Sequence, residues 1–175
     1  MSRLCSALCV CVVGVGATYA VADVVATYDV GEGASLAEVQ FDFSNGNTHV
    51  YSLRWDGTLY GRDVFDVISA AQPDLFAFEY ETYSFGDFLT GVSLGDDADS
   101  GVGTPPDYID YWHYWTHDGS GVHEASMIGF NNRVLVDGSA DAWVFGHSDA
   151  PASIPAPGSL LILLVGSRRR TKRRA

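Results

Sequence analysis

An α+β domain, with a small and mostly antiparallel sheet and one helix against it, is the fold class that this 175-residue sequence predicts. Three observations point there. Short runs with alternating apolar residues recur through the middle of the chain, the pattern of half-buried strands. One segment only, GRDVFDVISAAQ, carries apolar residues at helical spacing. Asn45-Gly46, between two of the alternating runs, is a strong hairpin signal. With a single helix to cover the sheet, a β-sandwich carrying one helix is the alternative.

The elements follow in order. Strands are expected around Val39–Phe43 and Val50–Trp55, joined by the Asn45-Gly46 turn. Val64, Phe65, Val67, Ile68 and Ala71 make one apolar face, with Asp63 at the start and Pro73 forbidding continuation, so a helix is expected over Arg62–Ala71. LFAFEYETYSF and FLTGVSLG read as the next two strands, and residues 96–107, DDADSGVGTPPD, read as a loop by composition. Two late strands are expected around Asp110–Thr116 and Arg133–Val136, with DAWVFG closing the domain. A hairpin, a helix and then further strands suit a β-grasp-like arrangement, in which a sheet wraps across one helix.

Both ends of the chain read as addresses. Arg3, an apolar run from Leu4 to Val15 and small residues ending Ala20-Val21-Ala22 form a secretory signal, with cleavage after Ala22 or, next best, after Ala20. That gives a signal peptide over residues 1–22 and an exported body over 23–153. All three cysteines, Cys5, Cys9 and Cys11, fall within the signal, so the exported body has neither disulfides nor thiolate metal ligands. A lipid-modified Cys9 is disfavoured because Leu8, not a small residue, precedes it. Residues 154–175 hold Pro155-Ala156-Pro157, the apolar run Leu160–Val165 and a terminal cluster including Arg168, Arg169 and Arg170. An apolar segment followed by cations stops transfer and keeps the cations cytoplasmic. A nucleic-acid-binding arm would leave the leader unexplained.

This tail resembles the PEP-CTERM sorting signal, in which a Pro-Glu-Pro motif, a hydrophobic segment and an arginine cluster lie at the extreme C-terminus. The resemblance implies removal by an exosortase in the inner membrane and delivery to the cell surface or extracellular matrix of a Gram-negative bacterium. Two departures stand out. Alanine replaces the glutamate of the motif, and the uncharged stretch 157–167 spans only about 16 Å as a helix, against a hydrocarbon core of roughly 30 Å.

The body between the ends is strongly acidic. All 22 Asp and Glu residues lie in it against three arginines, Arg54, Arg62 and Arg133, which leaves a formal charge of −19. Such a surface repels nucleic acid and anionic membranes. It suits solubility in a salty medium, calcium binding, or association with cationic material. Asp96, Asp97 and Asp99 in DDADSG offer the closely spaced carboxylates that calcium takes, though without the twelve-residue EF-hand pattern. No other cofactor is expected.

The stretch YIDYWHYWTHDGSG, residues 108–121, holds the candidate binding residues Tyr111, Trp112, His113, Tyr114, Trp115 and His117. On a strand, Tyr111, His113, Trp115 and His117 share one face, while Trp112, Tyr114 and Thr116 share the other. Two aromatic faces mean that both are covered, with Trp112 and Tyr114 packed on the helix, or that one is an open platform for a sugar ring or planar group. His113 and His117 have zinc spacing on a helix, but on a strand they lie roughly 13 Å apart, too far to share an ion. His123 is a further imidazole without a fixed place.

YWHYWTHDGSG followed by NNRVLVDGSADAWVFG also resembles the closing part of the transcobalamin-like C-terminal, β-grasp family, over about residues 36–146. Ala142 stands where that family has glycine. The resemblance implies a β-grasp fold and a cobalamin-type ligand. In transcobalamin, however, the ligand lies between this small domain and a large helical one that has no counterpart here. The body shows no cysteine nucleophile, no Gly-x-Ser-x-Gly elbow and no phosphate-binding glycine loop, so catalysis is not expected. The sequence reads as an exported surface module with a structural or adhesive role and a transient inner-membrane stage. Its expected partners are the export machinery, an exosortase-like enzyme, and exopolysaccharide or another surface protein. A small-ligand binder using the aromatic platform is the alternative.

Overall fold

A computed structural model describes residues 22–154. The expected cleavage point Ala20 and the sorting residues Pro155, Pro157, Arg168, Arg169 and Arg170 lie outside the described residues. No helix among the described residues is long and apolar enough to cross a membrane. The elements are β1 (Asp23–Gly31), β2 (Ser35–Asp42), β3 (Asn47–Trp55), α1 (Gly61–Ala71), β4 (Phe76–Tyr83), β5 (Gly86–Leu94), β6 (Asp97–Ser100), β7 (Trp112–His117), β8 (Glu124–Ala125), a 3-10 turn (Phe130–Asn132) and β9 (Ala140–Phe145).

The α+β class is what the structure shows, in two sheets. Six strands run in the order β1-β3-β2-β9-β7-β8, and three in the order β4-β5-β6. The larger sheet is mixed: β1 runs parallel to β3 and β2 parallel to β9, while its other pairings and those of the smaller sheet are antiparallel. Chain crossings cause both parallel pairs. β9 returns beside β2 only after the helix and the second sheet. β1 reaches the far side of β3 through a tight passage at residues 31–33. Gly31 (φ +73°) and Gly33 (φ +145°) make that passage, and a Cβ there would lie 2.2 and 2.1 Å from the backbones of Arg54 and Trp55. Only glycine fits.

The hairpin and helix match expectation. Gly46 takes φ +91° in the β2–β3 turn, where the Asn45 side chain accepts the Asn47 N–H at 2.9 Å. α1 begins where Asp63 accepts the Tyr60 N–H at 3.1 Å, a reach back to the N-cap that satisfies one orphan donor. One face of the large sheet is the core: Val39, Phe41, Tyr51, Leu53 and Trp143 are buried. Val64, Phe65 and Ile68 of α1 and Phe76, Leu89, Val92 and Leu94 of the small sheet are buried in the same cluster. Phe65 joins the layers, 5.8 Å from Phe41, 4.9 Å from Trp143 and 5.0 Å from Phe130 between ring centroids. Burying each such ring stabilises by roughly 1.5–3 kcal/mol.

Three expectations need correction. Residues 96–107 are not all loop, since Asp97–Ser100 is β6, paired to β5. Arg133–Val136 is not a strand; it makes one bridge, Val134 to Tyr60, after the 3-10 turn. β1 and β8 are additional strands. The two ends of the described body meet, with the Ala22 N–H donating to Ser153 at 3.3 Å. Beside them the buried carboxylate of Asp42 accepts from Gln40 (2.7 Å), Thr48 (2.8 Å) and the Ala152 N–H (3.0 Å). This latch holds the C-terminal segment across the outer face of the large sheet.

Candidate ligand-binding cleft

The strand β7 lies next to last in the large sheet, between β9 and β8. Its core face behaves as core. Trp112 is buried against Phe43 (5.2 Å) and Phe145 (5.3 Å), and its indole N–H donates to the Asp99 carbonyl at 3.3 Å. Tyr114 stacks on Trp143 at 4.6 Å and 11°. These two rings were expected on the helix. Their ring neighbours are instead Phe41 of β2, Phe43 just after it, and Trp143 and Phe145 of β9, with Phe65 of α1 packing on Trp143.

Below Tyr114 sits a buried polar cluster. Its hydroxyl donates to Asp141 at 2.6 Å, and Arg133 bonds the other oxygen of Asp141 at 3.2 Å while pairing with Asp118 at 2.6 Å. Asp141 is 0% exposed. Burial pushes its carboxyl above the ordinary value, against the Tyr114 hydrogen bond and the Arg133 charge. Burial and the nearby Asp141 likewise lift the Tyr114 phenol well above its own. The cluster locks the orientation of the tyrosine ring that floors the site.

An open cleft of ≈ 400 Å³ lies over this floor. His113 and Trp115 contribute from β7 and Tyr111 from just before it, Phe85 and Phe88 from the β4–β5 hairpin, and Met127 and Ile128 from the segment after β8. A close approach of two backbones closes its far wall. A Cβ on Gly129 would lie 2.6 Å from Gly86 and from the Asp87 nitrogen. The Gly129 N–H donates to Phe85 (3.2 Å), the Asn132 amide to Phe85 (3.2 Å), and the Asp87 N–H to the Asn131 side chain (2.7 Å). Glycine at both positions lets the two segments be sewn together.

Within the cleft, Tyr111 lies 3.8 Å from His113 and 5.6 Å from Phe88 between centroids. His113 Nε2 and Trp115 Nε1 are buried and find no hydrogen-bond partner in the protein. Leaving such a group unmatched costs about 1–3 kcal/mol. Burial holds the His113 imidazole below its ordinary pKa, opposed by a hydrogen bond to the Ile109 backbone. The site is therefore lined by rings, with polar nitrogens lacking protein partners and no free cation at its walls.

His117 is not in the cleft. It lies 4.8 Å from His123 and lines a second hollow with Glu38 and Ser139. Its Nδ1 accepts the Gly119 N–H at 3.1 Å, which places the ring proton on Nε2 and leaves that nitrogen without a lone pair for a metal. Burial, with His117 beside it, depresses His123 to about 4.

Asp96, Asp97 and Asp99 are not gathered around one point. Asp96 is exposed in the turn before β6. Asp97 bonds His49 Nε2 (2.7 Å), Asn45 (2.6 Å) and Asn47 (2.9 Å), while Asp99 bonds Ser44 through both oxygens (2.7 Å each). These bonds hold the Asp97 carboxyl below its ordinary pKa, that from His49 first. The two carboxylates pin β6 of the small sheet to the β2–β3 turn. Among the described residues no three His, Cys, Asp or Glu side chains are grouped so as to hold a metal ion.

Phe85, Phe88, Met127, Ile128 and Gly129 were not among the residues that sequence reasoning picked. Phe88 fell in an expected strand, and nothing in its pattern linked it to β7. No family model and no curated protein matches the chain. Among solved structures, one from Ruminococcus gnavus called a "putative metal binding protein" is similar at TM-score 0.45 and 14% identity, over 66% of this chain and 100% of that one.

Proposed function

We propose that the chain is an exported, non-enzymatic surface module that holds a ring-shaped, hydroxyl-bearing ligand, a sugar unit of surface polysaccharide, in the aromatic cleft. The cleft carries this reading. Its volume falls in the range of small-molecule sites, roughly 300–1,000 Å³. Aromatic rings suit the apolar faces of a sugar, and His113 Nε2 and Trp115 Nε1 are polar atoms that a small side-chain movement would offer to its hydroxyls. A corrinoid is far larger than the cleft, so the cobalamin reading finds no support in its size. No calcium role is assigned, because Asp97 and Asp99 already accept hydrogen bonds from the hairpin.

The export half of the proposal rests on the leader and tail of the sequence. The meeting of Ala22 and Ser153 supports it, since a leader and a membrane-directed tail would leave the body at one place. That place adjoins β1, at one edge of the large sheet, whereas the cleft adjoins β8 at the other. A body tethered by its ends would present the cleft outward. The parallel return of β9 beside β2, with α1 after the β2–β3 hairpin, supports the β-grasp-like assignment.

Two measurements test this. Titration of the body with neutral oligosaccharides, followed by tryptophan fluorescence, should give a saturable change that Trp115→Ala abolishes. Saturation unaltered in that variant would remove the cleft from the proposal. Intact mass of the protein from the native cell surface should run from about Asp23 to near Pro155. A mass retaining Arg168–Arg170 would place the protein in the membrane and undo the surface assignment.

A further inference from the structure

Two histidines face each other across the β7–β8 hairpin. Its register, Trp115 with Ala125 and Thr116 with Glu124, puts His117 opposite His123 at the next step, and their ring centroids lie 4.8 Å apart at 69°. Neither imidazole has an acceptor waiting for a second proton. The Nδ1 of His117 already accepts the Gly119 N–H at 3.1 Å, so a proton there would set two donors against each other. The Nε2 of His123 is buried with no hydrogen-bond partner in the protein. Little else retains the hairpin, because β8 is two exposed residues at the edge of the large sheet. Local opening costs least where so few contacts hold a segment.

We propose that this pair is an acid-operated latch: it keeps the β7–β8 hairpin closed while both rings are neutral and frees the adjoining wall of the cleft when they are charged. The wall follows β8 directly. The Ser126 N–H donates to the Tyr114 carbonyl at 2.8 Å, Met127 and Ile128 then line the cleft, and the Gly129 N–H is fixed to Phe85. Residues 126–128 thus run from a strand that only the hairpin retains to a fixed point at Gly129. Two imidazolium ions directly opposite each other repel, and the buried one also lacks a partner. The inference adds regulation to the cleft and applies to any ligand seated against that wall; only its sugar readout rests on the function proposed above.

The groups around the pair decide the sign. Glu38 of β2 lines the hollow beside His117, and β9 presents Ala140, without charge. Asp118 in the hairpin loop is taken by Arg133 at 2.6 Å, and Glu124 alternates to the opposite side of β8 from His123. The histidine–carboxylate pairs among the described residues are His49–Asp97 and His147–Asp149, neither of them here. Burial, and then His117, depresses His123 to about 4. A histidine with a lowered folded pKa supports the closed form fully above its free value of about 6.5 and loses that support as pH falls to the folded one. Glu38 acts the other way. Burial raises its carboxyl, against the charge of His117, so the closed form gains as Glu38 takes its proton. Loosening in acid therefore belongs to the histidines.

The test is hydrogen exchange of residues 118–128, followed by mass spectrometry from pH 7 to about 4 and corrected for the intrinsic rate. Protection of this segment should fall on the order of a hundredfold, the span between the free and folded His123 values, while β2 and β9 keep theirs. His123→Gln, uncharged throughout, should hold the protection level, with its β2 and β9 amides showing that it is folded. Glu38→Gln should not reduce the fall. A parent segment equally protected at both ends of the range would overturn the latch, as would a fall that survives His123→Gln. Tryptophan fluorescence titration with cellobiose and chitobiose at the same two pH values then reads the wall. Binding about tenfold weaker in acid is expected, and lost in His123→Gln. Equal affinity at both values, with the segment loosened, would overturn control of the cleft. Loosening without binding of either sugar at pH 7 would uphold the latch and sink the sugar reading.

Discussion

Two carboxylates, Asp141 and Asp97, anchor opposite halves of the core, and they are held in opposite ways. Asp141 lies under the cleft with no exposure, takes one hydroxyl and one guanidinium, and has its pKa raised because burial outweighs both. Asp97 sits at the seam between the sheets with its side chain 11% exposed, takes His49, Asn45 and Asn47, and has its pKa lowered because those donors outweigh burial. The difference shows that the number of donors, set against depth, decides whether a buried carboxylate is content as an anion. It also separates their roles. Asp141 depends on a single cation, whereas Asp97 shares its charge among three neutral-capable donors of one hairpin.

The largest effect should therefore follow removal of that cation. Arg133→Met leaves Asp141 charged and uncompensated beneath Tyr114, a loss of about 3–5 kcal/mol by denaturant unfolding. The combined variant Arg133→Met, Asp141→Leu, Tyr114→Phe removes every polar member and should recover most of the loss. If Arg133→Met alone unfolds like the parent protein, Asp141 is protonated and the ion pair is not what holds it. Asp118 makes the shorter contact with Arg133, 2.6 Å, but is 63% exposed, and a solvent-screened pair contributes little.

The comparison also explains what could be read in the sequence. The hairpin and helix were legible because Asn45-Gly46 and the Val64–Ala71 spacing are local signals. β6 was not, because its inward positions are Asp97 and Asp99, and a strand whose buried face is carboxylate looks like a loop. β1 has the right alternation in Val24, Ala26, Tyr28 and Val30, but it follows the leader directly, so the pattern merges with the apolar leader. At the site, the aromatic run pointed to β7, and Tyr111, His113, Tyr114 and Trp115 do line the cleft. The opposite wall, from Phe85 to Gly129, is built by backbone proximity of Gly86 and Gly129. Segments more than forty residues apart in sequence leave no periodic trace of such a meeting. Arg133 stood out as one of three cations in the body, yet its partner Asp141 became visible only with the register of β7 and β9.

A smaller effect should follow at the other carboxylate. Asp97→Ala leaves the buried His49 Nε2 without its partner and unpins β6 from the hairpin, a loss of about 1–3 kcal/mol. The pH dependence has a definite sign. A carboxyl with a lowered folded pKa contributes stability that is fully present above its unfolded value of about 3.9 and is lost as pH falls through the folded one. The gap in stability between parent and Asp97→Ala should thus be constant from pH 7 to about 5 and narrow below about pH 4. A gap that grows on acidification would mean that Asp97 is bound as the neutral acid. The same variant decides the calcium question. With the Asp97 oxygens committed to His49, Asn45 and Asn47, chelator and added calcium should leave the melting temperature of the parent where it was. A chelator-induced fall that Asp97→Ala abolishes would show the carboxylate exchanging its hairpin donors for an ion, and the seam between the sheets would then be metal-linked.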